Sequence, residues 1–249
     1  MFSTKKLAAL AVAVVSLAGA GTALAGTMVV RSTGPSAASY PVGKALPADG
    51  KITLRAGDAV TVMDAGGTRV LRGPGAVAVA GSATASGSGF AQLISNTGGR
   101  QARTGATRST VGGDTPRSPN VWFVDASKGG TQCVADPANV TLWRPDNTAE
   151  GSVSLTRISD NKAVDVSFRA GQASRAWPVA ELAIEEGAQF RMTSPSAKAP
   201  VTIKATLVAQ PGDSLDGVAA SLLPKGCRNQ MDVLVEGTLV AQTVASATH

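Results

Sequence analysis

The chain has 249 residues, 43% hydrophobic and 16% charged, and a formal net charge of +6 at pH 7. Its single histidine is His249, and its aromatic residues are five Phe, three Trp and one Tyr. A Ser-His-Asp triad and a histidine-built zinc site are therefore excluded. No segment has the dense run of Lys and Arg typical of nucleic-acid binding, and no cofactor or metal is predicted.

Residues 1–25 have the pattern of a cleaved export signal. Two lysines precede an apolar run over Leu7–Ala18, and the chain then reads Ala-Leu-Ala, ending at Ala25. Small residues at those positions predict cleavage before Gly26. The run is shorter than the ~20 residues that a membrane span needs. The sequence therefore predicts a bacterial periplasmic or secreted protein without a membrane span after cleavage, with 21 basic and 17 acidic residues left.

Residues 26–80 are predicted to form a small β domain. In Lys51–Thr61, written KITLRAGDAVT, apolar residues alternate on both sides of an Ala-Gly-Asp turn, as in a β-hairpin. The side chains expected to face the core are Leu54, Val60 and Val62. Those expected to face outward are Thr53, Arg55, Thr61 and Met63. Asp58 is predicted to accept hydrogen bonds from backbone amides of the turn, the alternative being a catalytic or metal-binding role.

This part of the chain resembles the FecR-type periplasmic domain. The resemblance covers about Val42–Val79 and is carried by the order AGD, VTVMDAGG and TRVLRGPG. It implies a β-rich envelope domain with a binding role and brings no catalytic residue. FecR proteins carry an inner-membrane helix before this domain, whereas this chain has only the cleavable signal. The resemblance therefore implies no direct signalling across the membrane.

Residues 81–118 are rich in Gly, Ser, Ala, Thr and Arg, which predicts a flexible linker. One short helical segment is expected within it, because Phe90, Leu93 and Ile94 lie at helical spacing. Three arginines of the linker are candidates for contacts with phosphate or acidic glycan, the alternative being a solvated linker. They are Arg100, Arg103 and Arg108.

Residues 119–243 are predicted to form an antiparallel, sandwich-like β domain closed by a short C-terminal helical pair, with a disordered tail at 244–249. Seven segments have strand character and are separated by turns. They are Asn120–Asp125, Thr131–Val134, Asn139–Trp143, Ser152–Ile158, Ala163–Phe168, Gln189–Thr193 and Val201–Val208. The first helix is expected over Ser214–Leu223 with Asp213 as its N-cap. The three Trp are expected in the core.

Cys133 and Cys227 are the only cysteines. An even number in an exported chain predicts a structural disulfide, with a free, reactive thiol as the alternative. The bridge would close a loop of 94 residues, which the chain-entropy argument values at about 4–5 kcal/mol. It would tie the terminal helices to an early strand.

The sequence favours a non-catalytic envelope protein that binds a protein or an anionic envelope polymer. The alternative is a periplasmic glycan hydrolase built on two carboxylates. Its candidate acids are the cluster Glu181, Glu185 and Glu186 and the scattered Asp136, Asp146 and Asp165. Glu181 and Glu185 are expected to share one face of a helix. The two functions differ in whether any two of these acids converge in a pocket.

Overall fold

The computed structural model describes residues 26–80, 87–94, 116–194, 197, 199–209 and 214–246. These residues form a mainly β fold with helices near the C-terminus, as predicted. No helix in this part of the chain has the length and apolar character needed to cross a membrane. The predicted signal, including Ala25, and the three linker arginines Arg100, Arg103 and Arg108 lie outside the described residues.

The N-terminal unit contains a four-stranded sheet in the order β2-β1-β4-β5 and a separate antiparallel pair, β3-β6. The strands are β1 (Thr27–Thr33), β2 (Ala45–Leu46), β3 (Lys51–Leu54), β4 (Ala59–Asp64), β5 (Gly67–Arg72) and β6 (Gly75–Ala78). Between the four-stranded sheet and the pair lies a core of eight buried side chains. They are Val29, Leu46, Ile52, Leu54, Val60, Val62, Leu71 and Val79.

Two expectations for this unit are wrong. Strands β3 and β4 are not a hairpin, because β3 pairs with β6 while β4 pairs with β1 and β5. Thr61 and Met63 do not face solvent, and both are buried. The reason is that the second face of the four-stranded sheet is covered by the C-terminal helices, so this strand is buried on both sides.

The C-terminal β unit has a five-stranded sheet, β11-β10-β13-β14-β8, and a three-stranded sheet, β12-β9-β7. The strands are β7 (Val124–Asp125), β8 (Gly130–Val134), β9 (Thr141–Trp143), β10 (Gly151–Arg157), β11 (Ala163–Phe168), β12 (Ser174–Ala176), β13 (Gln189–Thr193) and β14 (Val201–Leu207). Side chains from both sheets, among them Leu142, Leu155 and Phe190, fill one core. Two pairings, β8 with β14 and β7 with β9, are parallel.

The helices are α1 (Gly87–Ile94), α2 (Leu215–Leu222) and α3 (Arg228–Ser246). The N-cap of α2 is Ser214, whose side chain accepts a hydrogen bond from the Gly217 amide, and not Asp213. Helix α3 extends to Ser246, so the predicted disordered tail is helical over 244–246. The three Trp are buried, as predicted.

The helices form a layer between the two β units. One cluster joins Val30 and Met63 of the N-terminal sheet, Leu93 of α1, and side chains of α2 and α3. The same cluster includes Val121, Trp122 and Val208 from the C-terminal half. The helical pair, expected to close only the C-terminal domain, therefore also covers the N-terminal sheet.

Candidate functional site

The strands and helices meet at a junction where the start of α3 lies against the edge of β8. The Gln230 side chain is buried there, and its amide makes the main-chain hydrogen bonds that a neighbouring strand would otherwise make. Its Oε1 accepts from the Cys133 amide at 2.7 Å, and its Nε2 donates to the carbonyl oxygens of Cys133 and Val121, both at 2.9 Å. The glutamine thereby closes a strand edge that would otherwise expose unpaired backbone groups.

The two cysteines lie at this same junction. Cys133 of β8 and Cys227, the residue before α3, are at disulfide distance, with their Cα atoms 5.8 Å apart. Both are buried in the cluster that joins the helices to the two β units. The covalent link and the Gln230 hydrogen bonds therefore fix the same end of α3 to the same strand.

A pocket of about 260 Å³ opens beside this end of α3. One wall is the segment from Pro116 to Gln132 and the other is α3. The apolar part of the lining is Pro116, Val121, Phe123 and Val233. The polar part is Arg117, Ser118, Asp125, Lys128, Gln132, Asn229, Gln230, Asp232 and Glu236. This volume is just below the usual range of ligand sites, about 300–1,000 Å³, and suits one side chain or a small molecule.

Two carboxylates of α3 at the pocket are ion-paired. Asp232 Oδ1 lies 2.5 Å from the Arg31 guanidinium of β1. Glu236 Oε2 lies 2.7 Å from Arg117 Nε, at the start of the other wall. The network joins three parts of the chain, but its side chains are partly exposed, so each pair contributes little to the free energy of unfolding.

The third carboxylate, Asp125, is held differently. Its Oδ1 accepts from the Ser127 amide at 2.8 Å and from the Ser127 hydroxyl at 2.6 Å. Its Oδ2 accepts no hydrogen bond from the described residues. Burial raises the pKa of Asp125, and the Ser127 hydrogen bonds and the charge of Lys128 offset this only in part. Asp125 therefore offers the pocket a partly desolvated carboxylate with one open oxygen.

Gln132 offers a second open acceptor. It is only 5% exposed, and it lines the pocket. Its one hydrogen bond within the described chain is a long one, from Nε2 to the Cys133 carbonyl oxygen at 3.4 Å. Its Oε1 has no donor among the described residues. This oxygen is not among the fully buried polar atoms of the described residues that lack a partner, so water or a ligand in the pocket can reach it and donate to it.

The acids proposed from the sequence do not converge. Glu181, Glu185, Glu186 and Asp165 are exposed and none lines the pocket. Glu181 and Glu185 lie in a non-helical connection between β12 and β13, so their expected helix face is wrong. Asp136 and Asp146 accept hydrogen bonds within their own turns, from Asn139 and Thr148. Among the described residues, no group of acids, histidines and cysteines is arranged to hold a metal ion.

Asp58 has the role predicted for it. Its Oδ1 accepts from the Ser36 amide at 2.8 Å and its Oδ2 from the Arg55 amide at 2.5 Å. Burial acts to raise the pKa of Asp58, but the hydrogen bonds from Ser36 and Arg55 and the Arg55 charge outweigh it, so the pKa is lowered. Asp58 is thus a structural acid that ties two loops of the N-terminal unit together.

The pocket residues were missed because the lining comes from segments about a hundred residues apart. Asn229 and Gln230 stand among other polar residues at the start of α3, so no local pattern in the sequence singled them out. No protein-family model, no curated protein and no solved structure matches this chain.

Proposed function

We propose that the protein is a non-catalytic, exported protein of the bacterial envelope that binds a polypeptide partner in the pocket between α3 and residues 116–132. The observation that carries the proposal is the lining itself. It combines apolar side chains with amides and with charges of both signs. Such a mixture suits the side chains and main chain of a polypeptide.

An anionic polymer, the other partner considered from the sequence, is less well matched to the pocket. Three carboxylates line it, against two cations. One of those cations, Arg117, is already paired with Glu236. The charge of the other cation, Lys128, acts on Asp125, so the pocket offers a polyanion no positive charge that a carboxylate does not already match.

Export rests on the signal pattern and on the pair of cysteines at disulfide distance. Intact mass of the protein purified from the periplasm or the medium tests it. We expect a chain that begins at Gly26 and has lost the two hydrogens of one disulfide. A mass that retains residues 1–25 would contradict the proposed cleavage.

Photo-crosslinking in cells tests the binding site. Lys128, which is exposed and lines the pocket, is replaced by benzoylphenylalanine. The control carries the same replacement at Lys162, which is exposed in the turn between β10 and β11. We expect a discrete protein adduct from position 128 and none from position 162. Equal labelling at both positions would mean that the pocket is not the binding site.

The glycan hydrolase remains the alternative, and one observation now gives it a specific residue. Asp125 has a raised pKa and lies in a pocket with two further acids, which is an arrangement used for acid–base catalysis. Release of soluble fragments from purified peptidoglycan, abolished by Asp125→Asn, would favour it. We expect no release from the wild-type protein, because Asp232 and Glu236 are engaged in ion pairs.

A further inference from the structure

We infer that the pocket receives a basic side chain, an arginine or a lysine, of the partner polypeptide. This inference rests on the proposed function and narrows it to one anchoring group. The chemistry required of the ligand is a cationic head that donates several hydrogen bonds, carried on an apolar stem.

Two open hydrogen-bonding groups at the pocket are acceptors. The Oε1 atom of Gln132 and the Oδ2 atom of Asp125 both lack a donor among the described residues. The neighbouring amide of Gln230 is fully used by the main chain of Cys133 and Val121. A ligand that completes these two acceptors brings hydrogen-bond donors, and arginine and lysine carry donors only.

The charge and the degree of burial favour a cation over a neutral donor. Asp125 is partly desolvated, so a positive partner would stabilise its ionised form. Lys128, the nearby cation of this chain, is exposed and forms no ion pair with Asp125 among the described residues, and its charge offsets the effect of burial only in part. Asp232 and Glu236 are already paired with Arg31 and Arg117, so Asp125 is the carboxylate of the pocket that is left for a cationic ligand.

The remaining lining fits the stem of such a side chain. Pro116, Val121, Phe123 and Val233 are apolar and lie in the same lining as the open acceptors. Lysine and arginine bury their methylene groups against such surfaces while the charged head contacts polar groups. The volume of about 260 Å³ is enough for one such side chain and too small for a folded element.

The test is calorimetric titration of the mature protein with two capped tripeptides, Gly-Arg-Gly and Gly-citrulline-Gly. Citrulline has nearly the shape of arginine but no charge. We expect the arginine peptide to bind at least about tenfold more tightly, because one hydrogen bond between charged groups contributes enough free energy for a tenfold change in affinity. Asp125→Asn should remove most of this preference, and Asp165→Asn, an exposed acid of β11 outside the pocket, should leave it intact.

Equal affinity for the two peptides, or an unchanged preference in Asp125→Asn with native circular dichroism, would overturn the inference. Free L-arginine binding as tightly as the peptide would identify a small cationic metabolite and overturn the polypeptide source. A preference that appears only after Arg100, Arg103 and Arg108 are replaced by alanine would identify the chain's own arginines as the occupant, and would also overturn it. A crosslinked adduct at position 128 without any arginine preference would refute the inference and leave the proposed function standing.

Discussion

Single residues decide where the N-terminal unit turns from one sheet to the other. Asp58 holds the Ser36 and Arg55 amides, and its own carbonyl oxygen accepts from the Gly73 amide at 3.2 Å. At Gly73 a Cβ atom would overlap the Arg55 carbonyl oxygen, so only glycine permits the loops to approach this closely. The Asp58 carboxylate and the absence of a side chain at Gly73 thus fix the connection between β3 and β4.

Asp58→Asn tests this arrangement. An amide has only one acceptor oxygen, so one of the two backbone amides would face an NH₂ group instead of a carboxylate. We expect a lower melting temperature by several degrees in differential scanning calorimetry. Asp49→Asn, at an exposed turn position, serves as the control and should melt like the wild type. Equal melting of both variants would show that Asp58 does not organise the loops.

Acid should destabilise the protein, because hydrogen bonds lower the pKa of several carboxyls in the fold. The largest change is at Asp160, where the hydrogen bonds from Arg157 outweigh burial and lower the pKa to about 2. A carboxyl whose pKa is lowered by folding stabilises the folded state at pH values above its unfolded pKa, near 3.8. This stabilisation is lost as the pH falls through the folded pKa. Asp58, Asp136 and Asp146 act in the same direction. Asp125, with its raised pKa, acts in the opposite one.

Urea unfolding at pH 7 and at pH 3 measures this dependence. We expect a smaller free energy of unfolding at pH 3, since the fold lowers the pKa of four of these carboxyls and raises the pKa of one. Asp160→Asn should reduce the difference between the two pH values. A protein that is more stable at pH 3 would contradict the direction of the shifts.

At the scale of elements, the end of α3 substitutes for a missing neighbour of β8. Strand β8 pairs with β14 on one side only, and Gln230 bonds to the main chain of Cys133 on the other. Asn229 adds a hydrogen bond from its Nδ2 to the Gly129 carbonyl oxygen at 2.9 Å. Two adjacent amides of one helix thereby protect a strand edge from pairing with other chains.

Gln230→Leu should strongly destabilise the protein. Leucine fills a similar volume but leaves the Cys133 amide and the Val121 carbonyl without this partner, and leaves the Cys133 carbonyl with only the long hydrogen bond from Gln132. Each such group costs about 1–3 kcal/mol, so we expect a total loss of about 3 kcal/mol or more in urea unfolding. Asn229→Ala, which removes one hydrogen bond at a less buried site, should cost about 1 kcal/mol or less. A loss from Gln230→Leu no larger than this would refute the strand-substitute role.

The disulfide should act on both β units. Replacing both cysteines by serine removes the link, for which we expect a loss of about 2–5 kcal/mol in the free energy of unfolding. Because Cys227 lies in one cluster with Val30 and Met63, hydrogen exchange in β1 and β4 should become faster as well. Labelling of both thiols in the native wild-type protein without reductant would show that the bond is absent.

At the scale of the molecule, the helical layer makes the two β units share a core. Met63 of β4 and Leu234 of α3 are fully buried in the same cluster. The Thr238 hydroxyl also lies 2.7 Å from the Thr68 hydroxyl, across 170 residues of sequence. The two β domains were expected to be joined by a flexible linker, and in the structure α3 packs against both of them.

We expect the mature protein to unfold as one cooperative unit. Hydrogen exchange followed by mass spectrometry in increasing urea should show β4 and β13 losing protection together. Leu234→Ala should lower the urea midpoint of both strands, at a cost of about 2–5 kcal/mol. Loss of protection in β4 while β13 remains protected would show independent units, as the linker composition predicts.

Local patterns in the sequence determined much of the fold. Alternation of apolar residues located β8, β11, β13 and β14 to within a residue or so, because the side-chain period of a strand is set by the chain itself. The turn role of Asp58 and the pairing of the two cysteines were also readable, from the short-range chemistry of Asp and from an even cysteine number in a chain predicted to be exported.

Only the tertiary structure decided which strands pair and what covers them. Thr61 and Met63 alternate like outward-facing residues, yet helices from 150 residues further along the chain bury them. The pocket exists only because residues 116–132 and α3 meet, and no local pattern encodes that meeting. The physical reason is that strand and turn formation depend on neighbours in sequence, whereas sheet order, covered faces and pockets depend on which apolar surfaces find each other in the folded chain.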